Sequence, residues 1–177
     1  IGDSITEQKL YSKYMEAYLL ACSGVPDLQV FQFGWGGETA SGFAARIEND
    51  LAPFKPTVAT TCYGMNDGSY RPYAESIGKS YEGNMRKVVA GLRQAGVREI
   101  VIGSPGAVDT KYFVRDNFKP LSGADGYNQN LGSLRDIDRR IAGELGTRFA
   151  DVHQPMLDAM AKAKQALGEN YDVCGKD

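Results

Sequence analysis

Two short apolar runs rich in β-branched residues alternate with longer amphipathic stretches, and this alternation restricts the fold most. The runs are "TVATTCY" at residues 57–63 and "REIVIGS" at residues 98–104. Runs of this length and composition are typical of buried strands in a parallel sheet. The stretches after them, about 74–94 and 128–145, have the spacing of helices. Strands that alternate with helices predict right-handed crossovers, and therefore an α/β fold with a parallel sheet between two helical layers.

The same spacings, with breaks at Gly and Pro, predict five further elements. These are helices over residues 9–22, 41–51 and 156–167, and strands over residues 28–33 and 148–153. Four residues share one face of the first helix: Leu10, Tyr14, Tyr18 and Cys22. Residues 105–126 form a long irregular stretch, which is more often functional than merely connecting. The chain shows no internal repeat or linker, so residues 1–177 are predicted to form one domain.

Composition argues against several classes of partner and cofactor. The chain has 20 Lys and Arg against 22 Asp and Glu, and nucleic acids or anionic membranes are usually bound by basic patches instead. No apolar run approaches the roughly 20 residues that span a bilayer. Three cysteines without a C-x-x-C pair, and a single histidine, predict neither a disulfide framework nor a zinc site. The sequence leaves the oligomeric state and the compartment open.

Three turns carry chemically useful groups where strands end. "GDS" places Ser4 at the start of the chain, "GWGGET" contains Gly37, and "GMND" contains Asn66. Ligands bind beyond the carboxyl ends of strands in open parallel sheets, so we expect the three turns to meet at one edge. A hydroxyl nucleophile, an unobstructed N–H and a carboxamide donor are the groups that acyl transfer requires.

Each of these residues also has a purely structural interpretation. A serine after Gly-Asp commonly caps a helix, and a glycine cluster commonly forms a loop with positive φ. Asn-Asp-Gly at residues 66–68 is a turn sequence. The functional interpretation depends on the three occurring in order at successive strand ends. The chain contains no G-x-S-x-G, so the nucleophile elbow of the α/β-hydrolases is absent.

"GDS", "GGET" and "GMND" resemble the first three motif blocks of the SGNH, or GDSL-type, hydrolases, and the resemblance covers most of the chain. It implies a three-layer αβα fold, flavodoxin-like, with a five-stranded parallel sheet. It also implies an esterase or related acyl hydrolase with no metal and no organic cofactor. Carried onto this chain, it makes Ser4 the nucleophile, and assigns the oxyanion hole to the N–H groups of Ser4 and Gly37 with the Asn66 amide. Asp3 is expected to stabilise the turn.

The family's fourth block, D-x-x-H, supplies a histidine base and the carboxylate that orients it. The sequence ends in "YDVCGKD", so we expect Asp177 to be that carboxylate and the histidine to follow it in a longer parent protein. On this interpretation the domain is truncated at both ends, without its first strand and its catalytic histidine. Asp172 is a weaker alternative to Asp177. His153, two residues after Asp151, is interpreted as a structural or pocket-rim histidine rather than the catalytic base.

Aromatic residues near the predicted site suit stacking on sugar rings, an acyl tunnel, or ordinary packing. They are Trp35 in the glycine loop, and Tyr63, Tyr70 and Tyr73, with Arg71, around Asn66. Residues 105–126, with Tyr112, Phe113 and Phe118, are expected to form one wall of the pocket. We hypothesise a short-acyl esterase, with a carbohydrate acetyl ester as the favoured substrate. The alternatives are a thioesterase or lysophospholipase acting on longer acyl chains, and a carbohydrate-binding module that keeps the fold without catalysis.

Overall fold

The structure, a computed structural model, describes residues 1–113 and 123–174, with residues 123–125 described by their backbone alone. The helices are α1 (Ser4–Glu7), α2 (Leu10–Cys22), α3 (Ala40–Arg46), α4 (Glu75–Gln94), α5 (Gly123–Leu145) and α6 (His153–Leu167). The strands are β1 (Val58–Cys62), β2 (Glu99–Gly103) and β3 (Arg148–Ala150). A π-helical turn and a 3₁₀ turn follow α3, at Ile47–Leu51 and Ala52–Phe54.

Within the described residues the sheet has three parallel strands in the order β1-β2-β3, rather than the five predicted. Two single bridges extend this order, because Gly2 pairs in parallel with Cys62 on one side and with Gly34 on the other. If the bridged residues Gly34 and Gly2 are counted as strand positions, the order across the sheet is Gly34, Gly2, β1, β2, β3, which is the order of a doubly wound sheet. The three-layer α/β class and its flavodoxin-like arrangement are therefore confirmed, with a smaller sheet.

The strand predicted over residues 28–33 does not form, which accounts for part of this difference. Its composition suits a strand, but a strand needs a neighbouring backbone along its length. Only Gly34, just beyond the run, pairs with Gly2. Phe31 and Phe33 instead pack on the ring of Phe54, with centroid distances of 4.7 and 5.4 Å.

The main core combines α3, α4 and α5 with alternate residues of the strands. Ala59 in β1 and Ile100 and Ile102 in β2 are buried in it. The helix α4 contributes a stripe at helical spacing, from Ile77 through Tyr81 and Met85 to Val88, Val89 and Leu92. This packing fixes the carboxyl ends of β1 and β2, from which the turns of the candidate site extend.

The helix α2 forms as predicted, but its apolar face is not buried. None of its residues is buried, and Leu10, Tyr14 and Tyr18 are 68%, 81% and 69% exposed. A spacing of 3.6 residues predicts a helix with an apolar side, but it does not predict what packs against that side. Despite this exposed face, no helix in the described part of the chain is long and apolar enough to cross a membrane.

Asp138 on α5 is a fully buried acid within the main core. The Tyr81 hydroxyl lies 2.8 Å from Asp138 Oδ2 and 3.2 Å from the carbonyl oxygen of Tyr63. One hydroxyl proton cannot serve two acceptors, whereas a protonated Asp138 can donate to Tyr81 while Tyr81 donates to Tyr63. Desolvation raises the pKa of Asp138 well above its ordinary value. The hydrogen bond with Tyr81 lowers this pKa in part, and the nearby charge of Asp67 raises it further. The folded protein therefore holds this proton to a higher pH than the unfolded chain does.

Asp138→Asn is expected to stabilise the protein increasingly as the pH rises. Asparagine can donate the same hydrogen bond to Tyr81, and it carries no charge at any pH. Because the folded pKa of Asp138 is raised, its contribution to the unfolding free energy is fully present below about pH 4. That contribution is lost at up to about 1.4 kcal/mol per pH unit as the pH rises through the folded pKa. Urea unfolding of variant and wild type at about pH 4, 6 and 8 measures this trend.

Asp136→Asn is the matched control, because Asp136 lies on the same helix with 67% of its side chain exposed. The free energy of unfolding of Asp136→Asn should stay within about 0.5 kcal/mol of the wild-type value at each pH. A difference for Asp138→Asn that does not change with pH would contradict the assignment of a raised pKa.

Candidate active site

The two bridges of Gly2 bring the three predicted turns to one edge of the sheet. Gly2 lies between Gly34 and Cys62, and its carbonyl oxygen accepts a hydrogen bond from Trp35 N–H at 3.1 Å. This is the point where the order of the doubly wound sheet reverses, and such points bind ligands. The three candidate residues follow Gly2, Gly34 and Cys62 by two, three and four positions: Ser4, Gly37 and Asn66.

Ser4 is the first residue of α1, and its hydroxyl makes no hydrogen bond to any described residue. The helix is capped by Asp3 instead, whose Oδ1 accepts from Ile5 N–H at 3.0 Å. Desolvation raises the pKa of the buried Asp3 to about 6. Its backbone hydrogen bonds lower this pKa in part, and the charge of Glu38 raises it further. Asp3 thus stabilises the turn, as predicted, and the Ser4 hydroxyl is not used for capping.

The glycine loop crosses α1 at very short range. A Cβ on Gly34 would lie 2.3 Å from the backbone nitrogen of Glu7, so only glycine fits there. Gly37 has a φ of 72°, a left-handed conformation that costs other residues about 1–2 kcal/mol. No described atom lies within 4 Å of the position a Gly37 Cβ would take. The positive φ suggested by the sequence is confirmed, and an open backbone is also what an oxyanion donor needs.

The side chain of Asn66 is held at both ends of its amide. Nδ2 donates to the carbonyl oxygen of Glu38 at 2.9 Å, and Oδ1 accepts from the Tyr70 hydroxyl at 2.7 Å. A backbone carbonyl can only accept, so Nδ2 must face Glu38 and the orientation of the amide is determined. The second Nδ2 hydrogen has no acceptor among the described residues. Since Glu38 directly follows Gly37, this bond also joins the second turn to the third.

Asp67 ties the turn of Asn66 to the start of α3. Its Oδ1 accepts from Ala40 N–H at 3.0 Å, and its Oδ2 accepts from Gly64 N–H at 3.1 Å. Desolvation raises the pKa of Asp67 to about 6, while both backbone bonds lower it. One carboxylate oxygen therefore binds the start of α3, and the other binds the residue that follows Tyr63. The sequence identified Asp67 only as part of a turn.

A mostly buried network, which we call the Glu38 network (Glu38, Arg46 and Tyr63), anchors the glycine loop. Arg46 Nε and Nη2 contact the two carboxylate oxygens of Glu38 at 2.6 and 2.8 Å, and Nη2 also donates to the Phe33 carbonyl at 2.9 Å. The Tyr63 hydroxyl donates to Glu38 Oε2 at 2.7 Å. The hydrogen bond to Glu38 raises the pKa of Arg46 above its ordinary value, although desolvation alone would lower it. The guanidinium therefore stays charged and holds the loop at both ends.

The aromatic residues near the site separate into internal and exposed groups. Tyr63 is fully buried, and Tyr70 stacks on Tyr127 and Phe113 with centroid distances of 5.1 and 6.2 Å. Trp35, in contrast, is 60% exposed in the glycine loop. The packing interpretation therefore holds for Tyr63 and Tyr70, whereas Trp35 presents a surface that a ligand can contact.

His153 is buried at the start of α6 and has a structural environment. Its Nδ1 lies 2.8 Å from the Gly106 carbonyl oxygen, to which it can only donate. Asp151 binds Arg135 Nε at 2.8 Å and is not hydrogen-bonded to His153. A catalytic base needs an orienting group at one ring nitrogen and the nucleophile at the other. This geometry supports the prediction of a structural His153, whose ring links the chain after β2 to α6.

Two predicted residues, Asp177 and Phe118, lie outside the described residues, so their roles stay predictions. Asp172, the alternative to Asp177, is exposed. The chain ahead of it is tied to the predicted pocket wall, because the Tyr112 hydroxyl donates to the Asn170 carbonyl. Across the part of the chain that the structure describes, no group of three or more His, Cys, Asp or Glu side chains could hold a metal ion.

A doubly wound sheet whose edge carries a serine hydroxyl without a bond to any described residue, an open glycine loop and an anchored asparagine defines an SGNH-type hydrolase architecture. Residues 1–171 match the GDSL-like lipase/acylhydrolase family, and the chain belongs to that family. The resemblance of the three motif blocks is thereby confirmed. A search of curated protein sequences found no match.

Solved structures share this fold at low sequence identity. A gut microbial diltiazem-metabolizing enzyme is 24% identical with a TM-score of 0.78, over 100% of this chain and 41% of that one. Axe2, an acetylxylan esterase from Geobacillus stearothermophilus, is 20% identical with a TM-score of 0.65, over 85% and 66%. The acetyl xylan esterase AlAXEase is 19% identical with a TM-score of 0.69, over 93% and 81%. The chain thus spans less than half the length of the first, and these similarities establish the fold alone.

Proposed function

We propose that the full-length protein is a serine ester hydrolase. The observation that carries this proposal is the fixed orientation of the Asn66 amide. One Nδ2 hydrogen is donated to the Glu38 carbonyl, beside Gly37, and the other has no acceptor in the described residues. An amide held in this way is a preorganised donor, and the Ser4 hydroxyl, which bonds to no residue that the structure describes, follows the adjacent bridge at Gly2. Family membership supports the same reaction class.

The proposed mechanism has two steps. A histidine base, which the family pattern places near Asp177, takes the proton from Ser4 as Oγ attacks the ester carbonyl. The negative charge that develops on the carbonyl oxygen is stabilised by the N–H groups of Ser4 and Gly37 and by Asn66 Nδ2. The C–O bond to the alcohol then breaks, and the alcohol leaves with the proton held by the histidine. Water, deprotonated by the same histidine, attacks the acyl-serine and releases the acid.

For the substrate we propose a short-acyl ester, with an acetylated carbohydrate as the favoured case. The exposed ring of Trp35 beside the oxyanion loop supports this proposal, because flat apolar rings pack well against sugar rings. Two of the solved structures that share the fold are described as acetylxylan esterases, which agrees with the proposal at the level of fold. A thioesterase or lysophospholipase that prefers longer acyl chains is the main alternative.

Hydrolysis of p-nitrophenyl acetate and p-nitrophenyl dodecanoate by the full-length protein tests the acyl preference. We expect kcat/KM for the acetate to exceed that for the dodecanoate by at least about tenfold, because an acyl pocket that fits an acetyl group leaves no room for a dodecanoyl chain. Labelling by a fluorophosphonate, located at Ser4 by mass spectrometry, would establish the nucleophile on the same sample. Faster turnover of the dodecanoate would replace the short-acyl proposal with the long-acyl alternative. No turnover and no labelling would favour a binding module without catalysis.

A further inference from the structure

Of the side chains that the structure describes, Tyr70 alone hydrogen-bonds to the side chain of Asn66, with its hydroxyl 2.7 Å from Oδ1. The hydroxyl must be the donor, because an amide oxygen has no proton to give. Donation to Oδ1 also polarises the amide, which makes the Nδ2 hydrogens stronger donors. We infer that Tyr70 is a positioning residue that fixes and polarises the Asn66 amide for the oxyanion, an inference that rests on the proposed function.

The backbone adopts an unfavourable conformation where it places this hydroxyl. Ser69 and Tyr70 have φ angles of 57° and 51°, in the left-handed region. This region costs about 1–2 kcal/mol per residue and is unusual for a bulky side chain. Such strain persists only where the surroundings impose the conformation. Here the Asn66 carbonyl accepts a hydrogen bond from Ser69 N–H at 3.0 Å, which closes the turn.

The Tyr70 ring is held by a second hydrophobic cluster, separate from the main core. The buried members of this cluster are Met65, Val108, Tyr127 and Leu131, and Tyr70 and Phe113 pack against them. The Tyr127 hydroxyl donates to the carbonyl oxygen of Met65, the residue before Asn66. Tyr127 therefore supports the same turn through a bond to Met65 rather than to the Asn66 amide, which makes it a matched control for Tyr70.

Without the Tyr70 hydroxyl, the Asn66 amide would keep its bond to the Glu38 carbonyl and lose its second fixed point. The remaining Nδ2 hydrogen would then sample several directions instead of one. The loss concerns the preorganisation of a transition-state donor and leaves ground-state binding of the ester unchanged. The expected signature is therefore a lower kcat at constant KM.

Kinetics of the full-length protein on p-nitrophenyl acetate test this inference. Tyr70→Phe keeps the stacked ring and removes only the hydroxyl, and we expect kcat to fall about tenfold with KM changed by less than about twofold. Tyr127→Phe also removes one hydroxyl from the same cluster, and we expect its kcat to stay within about twofold of wild type. Thermal unfolding of both variants measures the stability that each loses, and we expect the larger loss for Tyr127→Phe, because Tyr127 is 3% exposed whereas Tyr70 is only partly buried.

A double-mutant cycle with Asn66→Ala separates positioning from general structural support. Asn66→Ala is expected to lower kcat by about 10²–10³-fold, and adding Tyr70→Phe should lower it no further, because Tyr70 acts through the amide. An additive tenfold loss, or a Tyr70→Phe variant with the wild-type kcat, would overturn the inference and leave the proposed function intact. If Ser4→Ala keeps the wild-type rate, the proposed function fails, and the role of Tyr70 fails with it.

Discussion

Ser4→Ala is expected to remove ester hydrolysis by the full-length protein, with kcat lowered by at least about 10⁴-fold. Alanine cannot be acylated, so any residual turnover would come from the oxyanion donors and substrate binding alone. The structure predicts that the fold survives, because the Ser4 hydroxyl bonds to no described residue and Asp3 caps α1. Assays on p-nitrophenyl acetate, together with urea unfolding, should show the loss of activity with stability changed by less than about 0.5 kcal/mol.

Ser41→Ala is the control for this substitution. Ser41 lies in the first turn of α3, is exposed, and has its Oγ 2.9 Å from Thr39 Oγ1. It therefore offers another hydroxyl near a helix start, and alanine there should leave kcat within about twofold of wild type. Undiminished hydrolysis by Ser4→Ala would end the assignment of Ser4 as the nucleophile, whatever the control shows.

Arg46→Met is expected to lower both the unfolding free energy and kcat. The side chains of Glu38 and Arg46 are only 7% and 18% exposed, and breaking a buried pair by removing one partner costs about 3–5 kcal/mol. Methionine also cannot donate to the Phe33 carbonyl, which leads into the glycine loop. The Gly37 N–H then loses its fixed position, and we expect kcat to fall about tenfold. Urea unfolding and p-nitrophenyl acetate kinetics measure the two effects.

Two further variants test the cause of this loss. Combining Glu38→Gln with Arg46→Met leaves no buried carboxylate unpaired, since Asp50, the other partner of Arg46, is 41% exposed, so at least about half of the lost stability should return while kcat stays low. Arg86→Met makes the same substitution in a more exposed cluster that joins α4 to α5, where the side chains of Arg86, Glu82 and Glu144 are 33%, 24% and 45% exposed. Pairs at that exposure contribute about 1 kcal/mol or less. If Arg46→Met costs no more than Arg86→Met, the buried pair does not stabilise the loop.

Elements specified by local pattern were predictable from the sequence. The β-branched run at 57–63 contains β1, Val58–Cys62, and the amphipathic stretch at 74–94 matches α4, Glu75–Gln94. In both, the residues that bury themselves are close in sequence, so the periodicity alone identifies the buried face. The boundaries of α5 and α6 were less accurate, because each begins some residues before its apolar pattern does.

Elements that depend on a distant partner were not predictable in the same way. The run at 28–33 has strand composition, but whether it pairs depends on the backbone beside it, and only Gly34 forms a bridge. The apolar face of α2 was recognised correctly, yet its exposure depends on what the rest of the fold brings near it. Amphipathic spacing carries no information on either point.

The site shows the same division. The motif blocks were enough to propose Ser4, Gly37 and Asn66 as site residues, because each lies in a turn with a recognisable sequence, and their roles stay predictions. Tyr70 was noticed only as an aromatic neighbour, since its bond to Asn66 depends on two left-handed residues that no propensity predicts. Arg46 was missed. A usable signal was present, because a single arginine between Phe43 and Ile47 on the buried side of α3 requires an internal partner.

The bonds from Asn66 to Glu38 and from Asp67 to Ala40 connect one turn to another, whereas the Trp35 ring, with Arg46 5.6 Å from its centroid, stays 60% exposed. On the proposed function, an alcohol group that packs on Trp35 and the donors of the oxyanion hole would be served by different residues of the same loop. We therefore expect an exchange of Trp35 to change the preferred alcohol more than the rate of acylation.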